Sequence, residues 1–164
     1  QCTPQLQHYF ELLASPGGEL QWRYEVSAGE QGAEPEQFLK KLHDSRRRDL
    51  NFGATSVGPH RDDLTFMLGG SIARNYASQG EAKAIALSTK FAIFDYLSAI
   101  LEARPLLLLD ELGSQLDARR LESLLKLLPE FGQVFLTAAR PGDLRKTASI
   151  AAEMKLVVGK LELE

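Results

Sequence analysis

A pair of acidic residues follows an apolar run in the second half of the chain. Leu106 to Leu109 are four consecutive leucines, and Asp110 and Glu111 come directly after them. A carboxylate at the carboxyl end of a buried strand lies where α/β sheets bind their ligands. There Asp110 is the type of hard oxygen ligand that Mg²⁺ prefers, and Glu111 is the type of base that polarises an attacking water. The alternative is a strand that simply ends in solvated acids.

A turn of small and polar residues precedes a long helical pattern. Ser78, Gln79 and Gly80 stand at the predicted start of this helix. The first N–H groups of a helix have no partner within it, and the helix dipole attracts negative charge to that end. The turn is therefore typical of an anion site. The alternative is an ordinary serine N-cap, which Glu81 would complete.

Two further polar residues stand at the ends of predicted elements. Asp117 precedes an amphipathic helix, so its first predicted role is that of N-cap, and a contact across an ATP-bound dimer is compatible with it. Thr137 ends the second predicted buried strand, where a hydroxyl is placed to sense a γ-phosphate. A β-branched residue that merely ends a strand is the alternative for Thr137.

A string of turn-forming and charged residues runs from Gly58 to Asp63. Its histidine and two aspartates suggest a metal site, but their spacing matches no metal motif, and Arg61 would repel a cation. The sequence therefore favours a rigid turn held by internal salt bridges.

The densest basic surface is predicted on a polar helix from Pro35 to Arg48. Its cations are Lys40, Lys41, Arg46, Arg47 and Arg48. Such a helix neutralises the phosphates of DNA. The alternative is a charge run that forms only a solvated face.

Composition limits the possible classes of protein. With 164 residues, of which 44% are apolar, the chain buries the core of one domain, or of one domain and part of another. The net charge is −3, so a nucleic-acid partner needs a local basic patch. Cys2 is the single cysteine, which excludes an internal disulfide. No uninterrupted apolar run approaches the ~20 residues of a membrane span, and we expect no membrane partner.

Periodicity predicts the elements that position these residues. Helix and buried strand alternate from Gly80 to Thr137, which indicates an α/β fold with a parallel sheet. The helix from about Gly80 to Leu101 is expected to expose Glu81, Ser88, Asp95 and Glu102. The face expected to be buried consists of Ala82, Ile85, Ala86, Thr89, Ile93, Tyr96, Leu97 and Ile100. Leu106 to Leu109 is expected to be buried on both faces.

The order of these parts resembles the ABC-type ATPases and, within them, the RecF family of bacterial recombination mediators. Three segments carry the similarity: residues 58–64, 78–83 and 107–117. Val134 to Thr137 also matches the last core strand of that family. The Gly-Pro-His-Arg-Asp-Asp string separates RecF from ABC transporters, which lack it.

This resemblance implies roles for individual residues. Ser78, Gln79 and Gly80 resemble the signature motif, which reaches ATP held by the other protomer, and Lys83 matches a basic position after it.

The second group of implied roles lies further along the chain. Asp110 resembles the Walker B residue that holds magnesium, and Glu111 resembles the catalytic carboxylate beside it. Asp117 resembles the acid of the D-loop, which faces the dimer.

The same resemblance implies a function in DNA recombination and repair, replication restart and the SOS response. The implied cofactors are ATP and Mg²⁺, and the implied assembly is an ATP-dependent homodimer in the cytoplasm. The implied partners are DNA at single-strand/double-strand junctions or gaps, together with RecO-like and RecR-like mediators.

One part of the family's ATP site is absent from the sequence. No glycine-rich loop ending in Gly-Lys-Ser or Gly-Lys-Thr is present. We therefore expect a C-terminal portion that binds ATP weakly and becomes an ATPase only when the Walker A part completes it. Residues 1–57 are expected to be part of a projecting helical domain, and residues 58–164 the C-terminal half of the ATPase head.

Two other functions remain open from the sequence. One is a non-catalytic interaction module that keeps the ATPase fold, and the other is an ATPase of the chromosome-maintenance or Rad50 type. The second class carries long coiled coils, and the sequence contains no sustained heptads.

Overall fold

The computed structural model describes residues 2–14, 18–29, 34–110 and 116–138, and the backbone of 154–157 and 160–163. The chain divides into two compact units, one formed by Gln1–Gly17 with Ser78–Glu164 and the other by Gly18–Ala77. These limits follow from the packing of the chain. The assignment of residues 1–57 to a projecting domain and of 58–164 to an ATPase head stays a prediction.

The described part of the chain contains helices and short strands. In order they are α1 Thr3–Leu13, β1 Leu20–Glu25, α2 Pro35–Phe52, β2 Asp63–Leu68, β3 Ser71–Ile72, α3 Ala73–Tyr76, α4 Gln79–Leu101, β4 Leu107–Leu109, α5 Ala118–Leu127, β5 Val134–Leu136, β6 Met154–Val157 and β7 Lys160–Leu163. Short 3₁₀ turns cover Pro59–Arg61 and Leu128–Phe131.

An aromatic cluster forms the core of the first unit. The rings of Phe91 and Phe131 are both buried, with their centroids 4.5 Å apart. Tyr9 of α1 lies against Phe91 with a centroid distance of 5.4 Å, and its hydroxyl donates to Asp95 of α4 at 2.8 Å. Burial, and then this hydrogen bond, raise the pKa of Tyr9. These contacts fix α1 against α4, the helix that begins at the Ser78 turn.

The predicted parallel sheet is confirmed by β4 and β5, which pair in parallel with Leu109 opposite Leu136. Leu107 and Leu109 are buried, whereas Leu108 is 63% exposed and Phe135 of β5 is 44% exposed. The prediction that this leucine run is buried on both faces is therefore wrong, because no described element covers the second face. The backbone of β6 and β7 forms a separate antiparallel pair.

The buried face of α4 differs from the predicted one. It consists of Ala84, Ile85, Leu87, Ser88, Phe91, Ala92 and Phe94. Of the face predicted to be buried, Ile85 alone is buried, and most of the remainder is exposed. Ser88, predicted to be wet, is fully buried, and its hydroxyl donates to the carbonyl of Ala84 at 2.7 Å. Apolar residues occur on nearly every side of α4, so periodicity alone did not select the face on which α1 packs.

The hydropathy of α4 was not apparent from a search for uninterrupted apolar runs. By length and composition alone this helix is able to cross a membrane, with a mean hydropathy of 1.5 in its most apolar window. In the structure 39% of that window is buried, and α1 packs on α4 through Tyr9 and Phe91.

The second unit is a small antiparallel sheet with a polar helix. β1 pairs with β2 from Leu20 opposite Leu68 to Glu25 opposite Asp63, and β2 pairs with β3. α2 has Ser45 as its one buried residue, which agrees with the thin apolar stripe of this segment. It ends at Gly53, whose φ of 67° lies in the left-handed region that glycine favours.

Candidate functional site

The start of α4 is held by a reciprocal cap. The N–H of Ser78 donates to Oε2 of Glu81 at 2.8 Å, and the N–H of Glu81 donates to Oγ of Ser78 at 3.3 Å. The hydrogen bonds from Ser78 lower the pKa of Glu81, and the nearby Arg120 cation adds to this effect. The capping alternative for Ser78 is thus present in the structure. It leaves Ser78 and Gln79 exposed to a ligand.

Gly80 lies directly against a side chain from α5. A Cβ atom at Gly80 would be 2.7 Å from Nη1 of Arg120 and 3.2 Å from its Cζ. Such distances are shorter than van der Waals contact, so the guanidinium occupies the space that a larger residue at position 80 would need. Sequence reasoning overlooked Arg120. The signal available was its place three residues after Asp117, within the first turn of α5.

Asp117 caps α5, as predicted. Its Oδ1 accepts the backbone N–H of Arg120 at 2.8 Å, and its Oδ2 forms an ion pair with Nη1 of Arg120. The backbone hydrogen bond is the main cause that lowers the pKa of Asp117, and the Arg120 cation contributes. The starts of α4 and α5 are therefore joined through one arginine.

The carboxyl ends of β4 and β5 bring a second pair of predicted residues together. The N–H of Thr137 donates to the carbonyl of Leu109 at 3.0 Å, which extends the parallel ladder by one step. The hydroxyl of Thr137 donates to Oδ1 of Asp110. Asp110 is exposed, so its carboxylate is available to a cation. An exposed carboxylate oriented by a hydroxyl, at this edge of a parallel sheet, has the donor chemistry that fits Mg²⁺.

Two further residues were predicted for the nucleotide site, Glu111 and Lys83. Glu111, the predicted catalytic carboxylate, lies outside the described residues. Lys83 is half-buried in the second turn of α4. Among the described residues, no hydrogen bond or ion pair joins the Ser78–Arg120–Asp117 group to the pair of Asp110 and Thr137.

In the second unit, Asp62 is held by neutral donors. It accepts hydrogen bonds from the hydroxyl of Tyr24 and, at 2.7 Å, from the backbone N–H of Ser27. These bonds lower the pKa of Asp62, that from Tyr24 most strongly. They tie the loop after β1 to the start of β2.

The predicted turn between Gly58 and Asp63 is confirmed, but the salt bridges expected within it are wrong. The Nε of Arg61 donates instead to the carbonyl of Thr55 at 2.9 Å. Within the described part of the chain, no ion pair involves this string. Gly58 has a φ of 139°, and a Cβ there would be 2.9 Å from the ring of His60, so the turn requires glycine.

The basic residues of α2 are all exposed, but they do not form one surface. Lys40 and Arg47, and likewise Lys41 and Arg48, are seven residues apart and share a side of the helix. Arg46 lies on a different side, because successive residues turn by about 100°. Arg48 also donates to the hydroxyl of Ser56. Four of the five predicted DNA contacts therefore form two stripes, Lys40 with Arg47 and Lys41 with Arg48, about 100° apart around the helix.

The chain is similar to proteins named DNA replication and repair protein RecF. The protein of Chlorobium limicola is 44% identical over 103 residues, which cover 63% of this chain and 27% of that protein. The protein of Geobacter sulfurreducens is 36% identical over 151 residues, which cover 88% of this chain and 41% of that protein. The chain thus spans less than half the length of these relatives. No protein-family model matches it.

Solved structures give the same result for the fold. A structure of the recombination mediator protein RecF-ATPrS in the RecFOR pathway superposes with a TM-score of 0.72 at 26% identity, covering 99% of this chain and 43% of that one. A structure concerned with ATP-driven dimerization and DNA-stimulated activation of SMC ATPases gives a TM-score of 0.59 at 15% identity, covering 99% and 81%. That second likeness concerns the fold alone. The predicted class, an α/β fold of the ABC-type ATPases, is confirmed.

Proposed function

Because the chain belongs to the RecF family, we propose that it is part of an ATP-dependent DNA-binding protein of recombinational repair and replication restart. It contributes two parts of a composite ATP site: the Ser78 turn and the acidic end of β4. The site is completed by a phosphate-binding loop that this sequence lacks, and ATP is hydrolysed at a dimer interface.

The pairing of Asp110 with Thr137 carries this proposal. A bound Mg²⁺ would supply positive charge to the phosphates of ATP, and Asp110 is the residue that would hold it, directly or through water. The Thr137 hydroxyl orients that carboxylate, because it donates to one of the two oxygens. Glu111 is the base proposed to accept the proton of the attacking water, from its place next to Asp110.

The Ser78 turn acts on the nucleotide of the partner protomer. The N–H groups of Gln79 and Gly80 are proposed to bind an anion at the start of α4, where the helix dipole adds to the attraction. The hydroxyl of Ser78 donates to Oε2 of Glu81 at 2.7 Å and would exchange this hydrogen bond for one to the phosphate. Lys83, one turn further on, adds a positive charge. Asp117 faces the dimer interface beside this turn.

The partners follow from the same family assignment. The exposed cations of α2 support binding to the DNA backbone, and gaps or single-strand/double-strand junctions are the proposed DNA structures. RecO-like and RecR-like mediators are the proposed protein partners, and the cytoplasm is the proposed compartment.

A reconstitution tests this function. The chain is joined to the phosphate-loop portion of a RecF relative, and DNA-stimulated ATP hydrolysis is measured for the wild type and for Glu111→Gln. We expect the substitution to abolish hydrolysis while ATP-driven dimerisation persists. Glu122→Gln is the matched control, because Glu122 is an exposed carboxylate on α5 that pairs only with Lys126 among the described residues.

Two outcomes would contradict the proposal. Equal hydrolysis in wild type and Glu111→Gln would remove the catalytic assignment. A dimer that forms without any hydrolysis in the wild type would favour the non-catalytic interaction module.

A further inference from the structure

The position of Arg120 is unusual for a cation. Its Nη1 lies where a Cβ of Gly80 would come within 2.7 Å, at the start of α4. The start of a helix carries partial positive charge and repels cations. The dipole of α4 therefore does not account for the presence of Arg120.

Two carboxylates offset this repulsion. Asp117 pairs with Nη1 of Arg120, and Glu81 lies close enough for the cation to help lower its pKa. The Arg120 side chain is only 17% exposed as a result. The arginine is thus enclosed between the first turns of α4 and α5.

The arrangement also carries a cost. The Nε of Arg120 is buried and has no hydrogen-bond acceptor among the described residues. A buried N–H without an acceptor is unfavourable, so this position of Arg120 lowers the stability that its ion pair contributes. Groups that cost stability in this way concentrate at functional sites.

We propose that Arg120 is a positioning residue that ties the Ser78 turn to Asp117, so that both present themselves to the partner's nucleotide in one fixed geometry. This inference rests on the proposed function. Arg120 acts through its contact with Gly80 and its ion pair with Asp117, and it does not itself touch the nucleotide. Gly80 leaves room for the guanidinium, because a Cβ atom at this position would displace it.

A double-mutant cycle on the chain itself tests the contact. Gly80→Ala and Arg120→Ala are made separately and together, and thermal unfolding is followed for each. In the presence of Arg120, Gly80→Ala is expected to lower the melting temperature by a few degrees, because the new Cβ displaces the guanidinium. In the Arg120→Ala background the same substitution is expected to raise it, because alanine favours a helix over glycine. An equal shift of the melting temperature in both backgrounds would overturn the contact between Gly80 and Arg120. If Arg120→Ala does not fold, Arg120→Leu is used in its place.

Kinetics of the reconstituted ATPase test the positioning role. Arg120→Ala is expected to lower kcat by about 10- to 100-fold, the effect of misplacing catalytic groups, with little change in KM for ATP. Arg120→Lys should recover part of the loss, because lysine keeps the positive charge but lacks the planar guanidinium and its paired N–H donors. The control is Lys126→Ala, an exposed cation on the same helix, which should retain the wild-type rate.

The outcomes separate the two proposals. An unchanged kcat for Arg120→Ala in an active mixture would overturn the positioning role and leave the proposed function intact. A mixture in which the wild type hydrolyses no ATP would contradict the proposed function, while the thermal cycle would still decide whether Arg120 couples to Gly80.

Discussion

The hydroxyl of Thr137 donates a hydrogen bond to Oδ1 of Asp110, although the two residues are 27 positions apart in the chain. They meet because β4 and β5 are parallel and in register, so the residues that follow Leu109 and Leu136 lie side by side. The residue predicted to sense a phosphate is thus bound to the residue predicted to hold magnesium. The two predictions concern one site.

The first prediction concerns this hydrogen bond. Thr137→Val keeps the shape of the side chain but leaves Asp110 without its hydroxyl donor. We expect the Mg²⁺ concentration for half-maximal ATP hydrolysis in the reconstituted protein to rise by about 10-fold, the usual cost of losing a residue that orients a metal ligand. Thr137→Ser should stay near the wild type. Magnesium titrations of the hydrolysis rate measure the effect.

Thr89→Val provides the control for this substitution. The hydroxyl of Thr89 donates to the carbonyl of Ile85 within α4. Thr89→Val therefore also removes a threonine hydroxyl, but one that is bonded to the helix backbone and not to Asp110. A magnesium dependence of Thr137→Val equal to that of the wild type would show that the hydrogen bond does not orient the cation site.

The second prediction separates capping from ligand binding at Ser78. Ser78→Ala removes the side-chain acceptor of the cap, and the free energy of unfolding should fall by about 1 kcal/mol in urea denaturation. Ser78→Asp restores a good N-cap, so stability should recover. Hydrolysis of ATP should not recover, because a carboxylate at this turn repels the phosphates.

The matched control for Ser78 is Ser98→Ala. The hydroxyl of Ser98 donates to the carbonyl of Phe94 inside α4, where no cap is lost. Wild-type hydrolysis by Ser78→Asp would mean that the turn is only a cap.

The third prediction concerns acid stability of the second unit. The hydrogen bonds from Tyr24 and Ser27 lower the pKa of Asp62 in the folded chain. The stability that this carboxylate contributes is therefore fully present above its unfolded pKa of about 4, and it is lost as the pH falls through the lower folded value. Asp62→Asn should lower stability at neutral pH and weaken the loss of stability below about pH 4.

Urea midpoints of the wild type and Asp62→Asn across this pH range measure the effect. Asp44→Asn makes the same charge change on the exposed side of α2. If the urea midpoint falls as steeply below about pH 4 in Asp62→Asn as in the wild type, groups other than Asp62 cause the acid sensitivity.

The fourth prediction concerns the stripe of Lys40 and Arg47 on α2. Lys40→Ala combined with Arg47→Ala should reduce the slope of log K against log salt for binding to gapped DNA by about 2, one unit for each lost phosphate contact. Arg46→Ala should reduce it by clearly less than one unit, because Arg46 lies on another side of the helix. A reduction of about one unit by Arg46→Ala alone would mean that the helix is not bound along one side.

The sequence by itself determined the local features of the site. The starts of α4 and α5 are specified by Ser78 with Glu81 and by Asp117, since a cap needs only residues within one turn. The turn after Gly58 and the parallel pairing of β4 with β5 were likewise predictable, from turn-forming residues and from the alternation of helix and strand.

Tertiary structure decided which side chains meet across the fold. The buried face of α4 was not predictable, because its apolar residues lie nearly all round and packing of α1 selects among them. The contact of Arg120 with Gly80 and the hydrogen bond of Thr137 to Asp110 join residues far apart in the chain. A cap is encoded by neighbouring residues, whereas such contacts depend on how helices and strands pack, and that information is spread over the whole unit.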